Sequence, residues 1–196
     1  MIGRHDTSDK AASAQDAHLD GRGWSAARNV VLALGSNLGS KLDILQGAVD
    51  AVAGLPGVWI DTVSPVYETA PVGGPKQPDY LNAILLARTT LRPYALLDAV
   101  HQVEAAFDRV REVRWGPRTL DIDIITYQGA TCGDPSLTLP HPRAHERAFV
   151  LAPWHDADPD AVIPGRGPVA GLLEALASGP GGDSGVRRST ARLVRP

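Results

Sequence analysis

The sequence predicts an α+β fold of the ferredoxin-like kind. An antiparallel sheet runs in the order β-α-β-β-α-β, with helices packed on it, extended by a C-terminal helical segment. Three observations carry this reading. Short apolar or alternating runs recur near residues 29–34, 58–68, 80–90 and 120–127. Two stretches, 40–54 and 93–107, repeat apolar residues every three or four positions. Clusters of Gly and Pro at 54–57 and 71–78 separate the segments.

Each element has its own reason. Residues 1–28 are rich in Ala, Asp, Ser, Gly and His without a sustained period, so they read as a disordered extension, with Trp24 as a possible anchor. Val30 to Leu34 form a buried strand closed by Gly35, and Ser36 and Asn37 are placed to cap the first helix. Leu42, Leu45, Ala48, Val49 and Val52 mark that helix. The second extended region, 58–68, is interrupted near Pro65, and Pro71 to Pro78 is a loop. Tyr80 to Thr90 is the third strand. Pro93 opens the second helix, which carries Leu96, Leu97, Val100, Val103 and Glu104. An Arg-rich loop spans 109–118, and Leu120 to Tyr127 form the fourth strand. A turn after Pro140 leads to the apolar Phe149, Val150 and Leu151, and a last helix runs from Val169 to Ser178. The domain is thus bounded at 29–178, with a flexible tail over 179–196.

Composition narrows the function. A net charge of -3 and a pI of about 6.0 disfavour a general nucleic-acid binder. The lone Cys132 makes no internal disulfide and reads as a small filler, which suits a cytoplasmic protein. No apolar run is long enough for a membrane span, and the N-terminus has no apolar stretch of signal-peptide length, so no membrane association is expected.

The densest chemistry lies between Arg109 and Asp123. Arg109, Arg111, Arg114 and Arg118 precede Asp121 and Asp123. Two positions apart in a strand, the aspartates share a face, with Cβ atoms about 7 Å apart, and Ile122 points into the core. Such a pair suits magnesium, which takes a few carboxylate oxygens and fills its shell with phosphate and water. Guanidinium groups match phosphate oxygens bidentately. Trp115, Gly116 and Pro117 suggest a closing loop. Tyr80 and Asn82 offer a flat heterocycle an aromatic plane and an amide, and His141, Arg147 and Phe149 form a third group. Gly35 to Lys41 lacks Walker A spacing, and His145–Glu146 has no second histidine at 149 for zinc. An RNA-binding module is disfavoured because no Lys/Arg-Gly-aromatic-x-aromatic run is present.

From about Val30 to Pro164 the sequence resembles the 6-hydroxymethyl-7,8-dihydropterin pyrophosphokinases of folate biosynthesis. The resemblance rests on Leu34 to Leu38, Tyr67 to Pro71, Gln77 to Asn82, Arg109 with Arg111, Arg114 to Asp123, and Pro140–His141 through Arg147 to Phe149. It implies diphosphate transfer from ATP to the pterin hydroxymethyl group, giving AMP. Asp121 and Asp123 would hold two magnesium ions. Arg109, Arg118 and Arg147 would clamp the triphosphate, with Arg111 and Arg114 on a mobile loop. His141 would touch ATP phosphate, Thr138 adenine, and Glu104 the nucleotide. Tyr80 and Phe149 would sandwich the pterin. Asn82 would bond its ring, with backbone groups near Thr69 and Val72 reading the same edge, and Trp115 would wall the pocket. Ala70, His101 and Pro142 depart from residues common in the family. A kinase of another heterocycle is the runner-up, distinguished by ADP rather than AMP as product. ATP and a reduced pterin are the expected partners.

Overall fold

The computed structural model describes residues 18–19, 26–71, 77–107, 119–179 and 185–196. Its main sheet is built outward from two long strands. β2 (Arg28–Ser36) pairs antiparallel with β5 (Tyr80–Thr89) along its whole length, Arg28 opposite Thr89 and Ser36 opposite Leu81. The other edge of β2 takes β6 (Asp121–Tyr127). The far edge of β5 takes β3 (Val58–Val63) and β4 (Tyr67–Thr69) in succession. Pro65 separates those two, and Ser64 bridges the gap: its Oγ accepts from the Ile84 N–H at 2.8 Å. This is the antiparallel strand order expected of a ferredoxin-like sheet.

Helices α1 (Lys41–Ala53) and α2 (Pro93–Ala106) cover one face, as their periodicity requires. Leu32, Leu34, Leu85, Ile122 and Ile124 of the sheet meet Leu45, Val49, Leu96 and Val100 of these helices in the larger core. Among the described residues, the second face is covered only in part. There Val31, Ile84 and Ile125 meet α3 (Ala148–Ala157) and α4 (Val169–Ser178). The remainder of that face carries the polar residues of the site.

Several elements differ from the sequence expectation. Phe149, Val150 and Leu151 belong to a ten-residue helix, α3. Its pattern is obscured because it packs between sheet and α4 and contains Pro153, a helix breaker. β7 (Ala130–Asp134) and β8 (Leu137–Leu139) form a hairpin, to which β1 (His18–Leu19) adds, so the extension 1–28 holds a paired strand and ends in β2. β9 (Val162–Ile163) pairs with β10 (Gly167–Pro168). Residues 185–196 are not a loose tail: β11 (Val186–Arg188) pairs with β4, and Leu193 packs against the larger core. Backbone pairing needs no apolar period, so a Val-Arg-Arg strand after a Gly-rich stretch carries little sequence signal. Cys132 is buried, as a filler should be. Among the described residues no helix is long and apolar enough to cross a membrane. Trp24 lies outside the described residues.

Candidate active site

Register across the sheet assembles the site. Tyr67 lies opposite Asn82, Asn82 opposite Gly35, and Gly35 opposite Asp121. One step along, Ala33 separates Ile84 from Asp123. Opposed residues share a face, and so do residues two apart in a strand. Tyr80, Asn82, Asp121 and Asp123 therefore stand on one surface, and Ile122 is 3% exposed on the other. Gly35 forms the floor between them. A Cβ there would lie 3.2 Å from Asn82 Oδ1 and 3.9 Å from Tyr80 Cδ1. The missing side chain lets the amide lie flat across the strand.

Polar contacts fix one wall. Asn82 is buried and its Nδ2 donates to Thr69 Oγ1 at 2.8 Å. Thr69 thus acts on the amide through its hydroxyl. The Tyr80 hydroxyl donates to Gln77 Oε1 at 3.2 Å. Asn37, also buried, donates its amide to Gln77 Oε1 at 2.9 Å and to the Pro78 carbonyl at 3.2 Å. This corrects the capping role expected of Ser36 and Asn37: α1 starts after Ser40 without a side-chain cap, and Asn37 instead holds the segment entering β5. Asn37 and Gln77 are site-shaping residues whose task no sequence motif specifies. Burial, and next the hydrogen bond its hydroxyl donates to Asp156 at 2.8 Å, push the Tyr67 pKa up to about 12.

The segment after Leu139 forms the other wall. The His141 N–H donates to the carbonyl of Ile125, the residue inserted at the bulge where β6 slips against β2. This carries His141 to within 3.9 Å of Asp123. The Arg143 N–H donates to His141 Nδ1 at 3.2 Å, so the ring proton sits on Nε2, facing that carboxylate. A single 3-10 turn (Ala144–Glu146) then delivers Arg147, whose guanidinium lies 3.4 Å from Asp123 and 5.6 Å from the Phe149 ring centroid. Arg147 thus faces both an acid and an aromatic plane.

Burial, and next the nearby Arg147, hold the His141 pKa down to about 4, although Asp121 opposes the shift. The imidazole is therefore neutral at pH 7. In the unfolded chain it binds a proton below its ordinary pKa of 6.5, so between about 6.5 and 4 the unfolded state holds more protons. The ligand-free protein should lose stability as pH falls through that window, by roughly 1–2 kcal/mol at pH 5. Thermal melts of wild type and His141→Gln at pH 7 and pH 5 test this. The substitution should flatten the slope.

Glu104 sits differently from its expected nucleotide-facing position. It is 1% exposed on the helix side of the sheet, and its Oε1 accepts the Ile122 N–H at 2.8 Å. β6 is an edge of the main sheet, so an N–H that turns away from β2 needs such a partner. Glu104 thereby anchors the backbone between the two aspartates. Glu104→Ala should destabilise the fold by roughly 1–3 kcal/mol, as expected for a buried donor left unpaired. Urea denaturation measures it, and an unchanged midpoint would remove the anchoring role.

Thr138, on β8, donates to the Asp134 carbonyl at 3.1 Å, and its hydroxyl makes no described bond to the other candidates. Val72, Arg109, Arg111, Arg114, Trp115 and Arg118 lie outside the described residues. Within the described residues, then, the structure gathers Tyr80, Asn82, Asp121, Asp123, His141, Arg147 and Phe149 around one uncovered part of the sheet.

Known proteins resemble the chain in sequence and in fold. Residues 31–159 match the family described as 7,8-dihydro-6-hydroxymethylpterin-pyrophosphokinase. The 2-amino-4-hydroxy-6-hydroxymethyldihydropteridine pyrophosphokinase of Methylorubrum extorquens is 47% identical over 135 residues, covering 69% of this chain and 85% of its own. The protein of the same name from Mycobacterium bovis is 41% identical over 180 residues, covering 85% and 90%. Among solved structures, Plasmodium falciparum HPPK-DHPS with pterin and p-hydroxybenzoate superposes with a TM-score of 0.67 at 15% identity, over 83% of this chain. The match spans 46% of that longer protein, and at such identity the likeness concerns the fold. Sequence match and fold agree: the chain belongs to the 7,8-dihydro-6-hydroxymethylpterin-pyrophosphokinase family.

Proposed function

We propose that the uncovered sheet face is where this chain, an ATP-dependent diphosphotransferase of folate biosynthesis, moves diphosphate from ATP to 6-hydroxymethyl-7,8-dihydropterin. The products are the pterin diphosphate and AMP. The observation that carries the assignment is the juxtaposition, across Gly35, of an amide-and-aromatic wall with an acidic pair.

Chemistry assigns the roles. Asn82, its amide oriented by Thr69, presents its Oδ1 edge to the donors of a flat ring. Tyr80 and Phe149 supply planes for that ring. Asp121 and Asp123 suit an oxygen-seeking divalent ion. Among the described residues no group of three or more His, Cys, Asp or Glu forms a metal site, which fits an ion that takes most of its oxygens from phosphate and water. Two magnesium ions held there would offset phosphate charge and acidify the attacking hydroxyl. Arg147, fixed by Asp123 and Phe149, offers a guanidinium to phosphate oxygens where charge grows on the departing AMP. Neutral His141 donates from Nε2 to a phosphate oxygen without having to lose a proton. Arg109, Arg111, Arg114, Arg118 and Trp115 would complete the clamp and the lid, Val72 the ring contacts and Thr138 the adenine edge. Among the described residues no side chain is placed as an obvious general base, and positioning of the hydroxymethyl oxygen in line with the β-phosphorus does most of the work.

The test is incubation with ATP, magnesium and 6-hydroxymethyl-7,8-dihydropterin, with mass measurement of the products. AMP and a pterin carrying two phosphates support the reading. ADP, or no change in the pterin, would refute it.

A further inference from the structure

The last twelve residues are tied to the site at more points than a terminal tail needs. Arg187 lies opposite Glu68, and Ser189 donates its N–H to the Val66 carbonyl at 2.8 Å. Antiparallel bonds alternate, so the Arg187 N–H also points into β4 while those of Val186 and Arg188 point away. On its other edge β4 pairs with Tyr80 to Asn82, and its Thr69 hydroxyl orients the Asn82 amide. β4 has only three residues. Without β11 it would be a short sheet edge, the kind of element that opens locally at little free-energy cost.

The same segment reaches the opposite wall. Arg188 lies 3.4 Å from Asp156 of α3, the carboxylate that accepts the Tyr67 hydroxyl. α3 carries Phe149 near its start. Beyond β11 the chain is anchored again: Gln46 exchanges two hydrogen bonds with the Val194 backbone, Arg195 donates to the Asp61 carbonyl, and Leu193 packs on the core.

We infer that residues 185–196 form a strap that positions the pterin side of the site, holding β4, and through it Asn82, in fixed relation to the helix that carries Phe149. The inference rests on the ring-binding role proposed above for Asn82 and Phe149. Arg187 and Arg188 are positioning residues. They act through Thr69 and Asp156, and neither touches the substrate.

The experiment compares Arg187→Pro, which deletes the N–H bonded to β4, with Arg187→Ala, which keeps it. Arg187→Pro should raise the KM for the pterin by about threefold or more and leave the KM for ATP within about twofold, while Arg187→Ala stays near wild type. Amide exchange at 66–71 and 80–82 should quicken in the Pro variant alone. Unchanged pterin KM, or equal rises in both KM values, overturns the strap. If Arg187→Pro does not fold, Arg188→Ala, whose side chain is 62% exposed, is read by the same two KM values. If wild type itself does not turn over the pterin, the functional reading fails, and the strap stands or falls on the exchange data alone.

Discussion

Asp123→Ala is expected to lower kcat by about three orders of magnitude or more while leaving the fold intact. The carboxylate lies beside Arg147 and His141 on the open face, and its side chain is 38% exposed, so truncation removes no core packing. On the proposed assignment it removes one of the two carboxylates for the divalent ion, and it takes from Arg147 its carboxylate partner while the Phe149 contact stays. A thousandfold loss corresponds to about 4 kcal/mol of transition-state stabilisation, a magnitude that one metal ligand can supply and one exposed ion pair cannot. The comparison of kcat, with a circular dichroism spectrum to establish folding, separates the two. Turnover within tenfold of wild type would show that Asp123 is only an ion-pair partner.

Gly35→Val is expected to damage pterin binding selectively. Valine suits a strand, and the φ angle of Gly35 is not in the left-handed region, so backbone strain is not the issue. Space is. The first carbon alone would meet Asn82 Oδ1 at 3.2 Å, and two further methyl groups would rise into the floor between Asn82 and Asp121. If Asn82 binds the ring as proposed, displacing its amide by even part of an ångström disturbs alignment of the reacting oxygen, an effect that can reach about a hundredfold in rate. We expect the pterin KM to rise at least tenfold, and kcat to fall with it, with a smaller change in the KM for ATP. Equal losses toward both substrates would place Gly35 in general stability instead. Gly35→Ala should sit between wild type and Gly35→Val.

Why these sites were legible in the sequence differs from residue to residue. Alternation alone puts Asp121 and Asp123 on one face and Ile122 on the other, because a strand's period is fixed at two. The same rule joins Tyr80 to Asn82. Which strand lies beside which is a tertiary fact, so the row running from Asn82 through Gly35 to Asp121 appears only with the register. Gly35 read as the end of a strand, and its role as floor depends on a neighbour 47 positions away in sequence, Asn82. Glu104 fitted the apolar stripe of α2, and only the packing of α2 under an edge strand shows its carboxylate meeting a backbone N–H. The C-terminal strand was hidden for a simpler reason. Its bonds are between main chains, and main chains carry no composition.

On the proposed assignment the two aspartates on the open sheet face hold the divalent ions. Manganese can replace magnesium, and its free and bound forms are distinguished by electron paramagnetic resonance. Titration of wild type with manganese, in the presence of a non-hydrolysable ATP analogue and the pterin, should reveal two bound ions per chain, and Asp121→Asn combined with Asp123→Asn should abolish protein-dependent binding. Equal ion binding by both proteins would contradict the account.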